Sequence, residues 1–191
     1  MSKHLSLFAA AAVAALALTS TAAVISASAE ATVNVGGAPM YPSKNIIQNA
    51  VNSKDHTTLV AAVKAAGLVD TLQGAGPFTV FAPTNDAFAK LPAGTVDTLL
   101  KPENKPTLTK VLTYHVVPGR LTATNLMKAV KDGGGTAKLT TVAGGEIVVK
   151  DAGPGKLSVT DSKGDVATVT IGDVLQSNGV IHVIDTVLLP N

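Results

Sequence analysis

The chain of 191 residues contains no cysteine and no tryptophan, and its aromatic residues amount to 3% of the total. Without thiols there is no disulfide framework, no thiolate nucleophile and no cysteine-bearing zinc site, so the fold must be held by packing alone. Charge of one sign is also lacking. Lys and Arg total 15 against 13 Asp and Glu, a formal net charge of +2. So even a balance offers no general attraction to nucleic acid or to an anionic membrane. Neither an Asn-x-Ser/Thr sequon nor a Gly-x-Ser-x-Gly elbow occurs. The glycine run Gly133–Gly135 has the wrong spacing for a phosphate loop and follows a helical pattern instead of opening one. No internal repeat, heptad or low-complexity block is present beyond the first residues.

What is there begins with a leader. Lys3 and His4 precede an apolar run from Leu5 to Leu18, and a small-residue tail ends in Ala27-Ser28-Ala29 before Glu30. That is the layout of a secretory signal peptide, with cleavage expected after Ala29. The run is shorter than the ~20 apolar residues of a membrane span, so no transmembrane anchor is expected. Lys3 is the only charged residue in the leader, so the remaining chain carries +1. Residues 30–42 hold Gly and Pro without sustained periodicity and read as a tether, and residues 43–191 as one domain. The product is expected to be secreted or periplasmic.

Gly76–Pro92 (GPFTVFAPTNDAFAKLP) organises the domain. Phe78, Val80, Phe81 and Ala82 form a buried strand that stops at Pro83. Thr84 or Asn85 then caps a helix whose first turn carries Asp86, and Ala87, Phe88 and Leu91 form its apolar side. Three of the four phenylalanines lie here, which marks the stretch as the anchor of the core.

On either side the first half of the chain is helical in pattern. Asn45–Val51, a segment from Asp55 to a left-handed stop at Gly67, Val69–Gln73, Thr95–Leu100, Thr107–Thr113 and Asn125–Lys131 each pair apolar residues a turn apart. Asp55 or Thr57 is the expected cap of the second. Tyr114–Val117 reads as a strand. After Gly135 come short β-branched runs at Lys138–Val142, Glu146–Lys150, Lys156–Thr160 and Val166–Ile171, separated by turn residues, as in antiparallel hairpins. Asn178-Gly179 is a hairpin signal, and Val180–Leu189 should be the longest strand. Its alternation puts Ile181, Val183, Val187 and Leu189 on one face, where Asp185 also falls, with His182 and Thr186 on the other. The fold class is therefore α+β, helices followed by an antiparallel sheet.

Candidate chemistry is sparse. His115 and His182 lie in different elements with no carboxylate at ligand-like spacing, so each reads as a hydrogen-bonded histidine at the core edge, and no metal is expected. His56, at a helix start, reads as a surface residue. Asp185 on an apolar strand face needs a partner and reads as structural. Asp161–Asp165 reads as a hairpin turn, since Lys163 stands where a calcium loop needs an acceptor. No catalytic constellation emerges, and no cofactor is expected.

Three segments, Thr79–Phe88 (TVFAPTNDAF), the pair Tyr114-His115 and Asn178–Pro190 (NGVIHVIDTVLLP), together resemble the fasciclin domain in order and spacing, over about Asn45 to Pro190. The resemblance implies a wedge-shaped antiparallel β-sandwich with a layer of short helices. It implies an exported, non-enzymatic adhesion or interaction module that contacts a surface or matrix protein or a glycan. By the same resemblance Val111, Leu112, Tyr114, His115, Val116 and Val117 are the binding candidates. Phe78, Phe81, Pro83, Thr84, Asn85, Asp86, Phe88, His182 and Asp185 form the structural signature. An alternative that it implies is a carrier of a small apolar ligand, a lipid or pigment. The chain has no Arg-Gly-Asp triplet.

Overall fold

In the computed structural model, residues 30–191 are described; the expected leader lies outside them. The apolar run after Gly76 forms β3 (Phe78–Pro83), whose last five residues are all buried. It lies between β4 (Val116–Pro118), paired antiparallel, and β9 (Gly179–Ile184), paired parallel. The remaining strands are β5 (Thr136–Thr140), β6 (Glu146–Gly153), β7 (Lys156–Thr160) and β8 (Val166–Gln176). They complete a seven-stranded sheet in the order β4-β3-β9-β8-β7-β6-β5. The fold is α+β as expected, but the sheet is mixed, not wholly antiparallel. Two glycines permit the parallel contact. A Cβ on Gly179 would stand 2.1 Å from the Phe78 carbonyl oxygen, and one on Gly76 2.2 Å from that of Asn178.

Because β3 and β9 are covered on both faces, the sheet divides two cores. Val80, Ala82, Ile181 and Val183 belong to one, while Phe81 and Ile184 belong to the other. Strand β9 is buried at every position. It also ends at Ile184, so the expected strand through Leu189 is too long and the longest is β8, with 11 residues. The segment after Ile184 leaves the ladder but keeps Val187 and Leu188 buried. Strand β8 pairs with β7 through Val166–Thr168 and with β9 through Val169–Gln176. Two register shifts in its second part bend it, and Asp173 takes a left-handed φ of 55° there.

The helices are α1 (Ile46–Ala50), α2 (Thr57–Ala66), α3 (Val69–Gln73), α4 (Asn85–Ala89), α5 (Thr95–Leu99), α6 (Lys105–Tyr114) and α7 (Ala123–Asp132). Gly67 ends α2 with φ 73°, and Thr84 caps α4 through the Ala87 N–H. Neither Asp55 nor Thr57 caps α2. Asn85 does so from the next layer. Its Oδ1 accepts from Thr58 N at 3.0 Å and from Thr57 Oγ1 at 3.1 Å, while its Nδ2 donates to the Lys54 carbonyl. The stretch 30–42, expected to be a tether without regular structure, contains a hairpin of β1 (Val33–Val35) and β2 (Ala38–Met40). Val35 and Met40 are buried in the first core. Gly36 and Gly37, both at positive φ, make the two-residue turn that a Val-Asn-Val-Gly-Gly-Ala-Pro-Met pattern signals.

The β8–β9 turn ties this N-terminal segment down. Asn178 Oδ1 accepts from Ile46 N at 3.0 Å, and its Nδ2 donates to the carbonyls of Leu72 and Gly74. Buried Asn49 bridges the Tyr41 backbone and the Gln176 side chain. One asparagine side chain in a two-residue loop thus holds the start of α1 and the end of α3.

Candidate functional site

The Tyr114-His115 pair stands where α6 passes into β4. Tyr114 closes the helix and His115 is its C-cap, so the strand begins two residues later than expected. The phenol of Tyr114 donates to the Glu146 carbonyl at 2.6 Å and accepts from Ser162 N at 3.0 Å. Gly145 is a glycine because the ring passes over it: a Cβ there would meet Tyr114 Cε2 at 2.7 Å.

His115 bridges two backbones. Its Nδ1 lies 2.8 Å from the Val111 carbonyl, which can only accept, so that nitrogen carries the proton. Its Nε2 accepts from Leu188 N at 2.9 Å. The neighbouring Leu189 N–H goes to Asp161 Oδ2, and Asp161 Oδ1 takes the N–H groups of Lys163 and Asp165. The C-terminal segment, without strand pairing of its own, is pinned by a neutral histidine and a buried carboxylate. Burial lowers the His115 pKa to about 4, against smaller opposing effects of the Val111 backbone and Asp161.

The six binding candidates Val111, Leu112, Tyr114, His115, Val116 and Val117 are brought together, but inside. None exceeds 6% exposure. They are apolar because they pack, with Val111, Leu112 and Val116 in the first core and Tyr114 and Val117 in the second.

His182 repeats the arrangement of His115 with the ring reversed. Nε2 donates to the Leu121 carbonyl at 2.7 Å, Nδ1 faces Asp173 N at 3.4 Å, and the ring stacks on Phe81 with centroids 5.6 Å apart. Burial lowers its pKa too, the Leu121 backbone and Asp173 pulling the other way. Asp173 in turn accepts from Ala123 N at 2.6 Å, which seats the first turn of α7. Asp185 is not on a buried strand face. It lies half-exposed in the bend after β9, accepts from Thr168 N at 2.8 Å and stands 3.9 Å from Lys90 Nζ.

The residue that sequence reasoning missed is His56. It is 3% exposed, not a surface residue, because β3 and the N-terminal segment close over it. Its Nδ1 is 2.9 Å from Ser53 Oγ, and its Nε2 makes no hydrogen bond of ordinary length and angle, only the Ala82 backbone acting on the ring from that side. Burial lowers its pKa, with the Ala82 backbone and Asp55 opposing. Local polarity (Asp55-His56-Thr57-Thr58) hid this, since the covering residues are distant in sequence.

His56 lines an apolar cavity of about 30 Å³ with Val35, Met40, Leu59 and Ile181. A second of the same size lies alongside, and its lining includes Ile46, Ala50, Leu59 and Val80, which it shares with the first. A third of about 30 Å³ adjoins the second at Leu72, Leu112 and Val116 and reaches Val142, which is 48% exposed. Singly, each is far below the roughly 150 Å³ that admits a benzene. Among the described residues no group of three or more His, Asp or Glu is gathered as metal ligands would be. No described helix is long and apolar enough to cross a membrane.

Residues 54–190 match the fasciclin domain family. The chain is 52% identical over 147 residues to protein sll1483 of Synechocystis, covering 76% of this chain and 73% of that one. It is 40% identical to immunogenic protein MPB70 of Mycobacterium bovis (74% and 66% covered) and 38% identical to transforming growth factor-beta-induced protein ig-h3 of Sus scrofa (69% and 17%). Among solved structures, a domain pair of the insect cell adhesion molecule fasciclin I superimposes with a TM-score of 0.69 at 19% identity, over 84% of this chain and 58% of that one.

Proposed function

Because the chain belongs to the fasciclin domain family, we propose that it is an exported, non-enzymatic adhesion or interaction module. The observation that carries this reading is the family match over residues 54–190. Supporting it, the fold neighbour is a cell adhesion molecule, and a relative 37% identical is named a cell surface glycolipoprotein of Mycobacterium bovis. His115 and His182 give no purchase for catalysis. His115 and His182 each use both ring nitrogens on backbone groups, so neither has a lone pair free for a substrate proton.

In this reading export follows from the leader ending at Ala29, and the partner is a surface or matrix protein or a glycan. Val111–Val117 act on it indirectly, by holding the surface loops in place. The wedge-shaped sandwich is read in the same spirit. Strand β8 serves both halves of the sheet, and the edge of β4 meets the loop after β5 where Val142 N donates to the Val116 carbonyl at 2.8 Å. The test is attachment: cells lacking the protein, and the same cells given it back, are measured on matrix-coated and cell-coated surfaces. Restored attachment is expected. Equal attachment of both strains on every surface overturns the reading.

A further inference from the structure

The segment after β9 is held differently from the sheet it leaves. Asp185 N still donates to the Thr168 carbonyl, but from Thr186 onward the backbone bonds run to side chains. Leu188 N donates to His115 Nε2 at 2.9 Å, Leu189 N to Asp161 Oδ2 at 2.8 Å and Asn191 N to Ser162 Oγ at 3.2 Å. Lys110 Nζ donates to the Asn191 carbonyl at 2.6 Å. Pro190 and Asn191 also border a cleft of about 300 Å³ with Lys110, Gly144, Gly145 and Ser162, so the end of the segment has room to move. Leu188 is meanwhile fully buried in the second core. We propose that residues 186–191 are an acid-released clasp: a second proton on His115 turns an acceptor into a donor, and the segment lifts Leu188 out of the core while the sheet stays paired.

In the closed form the ring carries one proton, on Nδ1, which the Val111 carbonyl holds in place. A second proton has only Nε2 to go to, where it meets the Leu188 N–H. Two donors then face each other and the bond is lost. Opening gives the imidazolium the water that burial denies it, so opening takes up a proton. Asp161, from the turn between β7 and β8, is the carboxylate that bears on the ring. It favours the imidazolium, but its oxygens already receive the N–H groups of Lys163, Asp165 and Leu189, and burial outweighs it. Helix α6 contributes Lys110, at the end of the segment, and the Tyr114 phenol, engaged with Glu146 and Ser162. Strands β3 and β4 contribute no titratable group, and Asp185 is held by Thr168 N. With the closed ring at about 4 and the open ring at the ordinary 6.5, opening should become about a hundredfold more favourable from pH 7 to pH 4.

Native-state amide exchange on the whole chain, corrected for the intrinsic effect of pH, reads the opening. Leu188 and Leu189 should open about a hundredfold more at pH 4 than at pH 7, with little response to low urea. Val183, in β9, should open only with the whole fold and respond steeply to urea. His115→Gln keeps an acceptor for Leu188 N that does not titrate, and should cut the effect of pH to less than about threefold. Ser162→Ala should raise opening by one factor at both pH values and leave their ratio unchanged. The wild-type ring supplies a reading that needs no variant, because its NMR titration should fall at about 4. Leu188 sharing the opening constant and urea slope of Val183 at pH 4 overturns the proposal. So does a hundredfold rise that survives in His115→Gln, or a His115 ring that titrates at 6.5.

Discussion

His115 and His56 are both all but hidden from solvent, yet they stand in opposite relation to their surroundings. The first joins α6 to the C-terminal segment through two backbone hydrogen bonds of 2.8 and 2.9 Å. The second holds only Ser53 and turns its other nitrogen to a hollow. Burial lowers the pKa of each, so the proton balance does not separate them. Hydrogen-bond completeness does. A satisfied buried ring fastens two elements at fixed separation, whereas an unsatisfied one costs stability. The same contrast extends to their neighbourhoods, a close-packed C-terminal clasp and a seam with voids.

The largest effect should come from the ring that underlies the clasp side. Phe81, fully buried in the second core and stacked on His182, should lose about 3–5 kcal/mol on replacement by alanine. Chemical unfolding measures it, and a loss below 1 kcal/mol would contradict the burial. Next, acidification should act through His115. Its folded pKa is depressed below the ordinary 6.5, so its contribution is complete above that pH and is lost as pH falls through about 4. The loss should reach about 3 kcal/mol below pH 4, at roughly 1.4 kcal/mol per unit of pKa. A urea midpoint that is flat from pH 7 to pH 4 would sink this expectation. Amide exchange at Leu188 should rise first, because the imidazolium no longer accepts its N–H.

Asn178→Ala should cost about 2–3 kcal/mol, since it leaves Ile46 N and two carbonyls without their partner in the interior. Calorimetry with and without the substitution decides. His56→Leu sharpens the comparison most. Removing an unpartnered nitrogen should leave stability within about 1 kcal/mol of wild type, while His115→Leu, which strands Leu188 N, should cost at least about 2 kcal/mol. Equal losses at the two sites would erase the distinction. Smallest of all, Lys90→Ala should change stability by less than about 1 kcal/mol, because both its 2.6 Å hydrogen bond to the Asp185 carbonyl and its 3.9 Å pair with that carboxylate are exposed to solvent.

Local signals in the chain were legible where neighbours in sequence supply the physics. The apolar run Phe78–Ala82, the Thr84 cap, the Gly67 stop and the Asn178-Gly179 hairpin all sit where the pattern puts them. Long-range facts were not. Nothing near Phe78 announces that its partner strand is Gly179–Ile184 and runs parallel. Strand β9 looked too long because Val187 and Leu188 are as apolar as strand residues while belonging to the pinned segment. The burial of the binding candidates was illegible for a related reason. A run of apolar residues is the same text whether it faces a partner or a core. His56 left no readable sign, while the β1–β2 hairpin did, in the two glycines between alternating pairs.

The parallel contact of β3 with β9 also governs when the protein can fold. Val80 and Ile181 lie roughly a hundred positions apart, and both cores are bounded by that pair, so loop closure must precede any durable packing. A chain interrupted before Gly179 has neither core closed, and its first helices have no floor to rest on. The β5–β8 hairpins pair locally, but the first core closes only once Gly179–Ile184 has docked beside Phe78–Pro83.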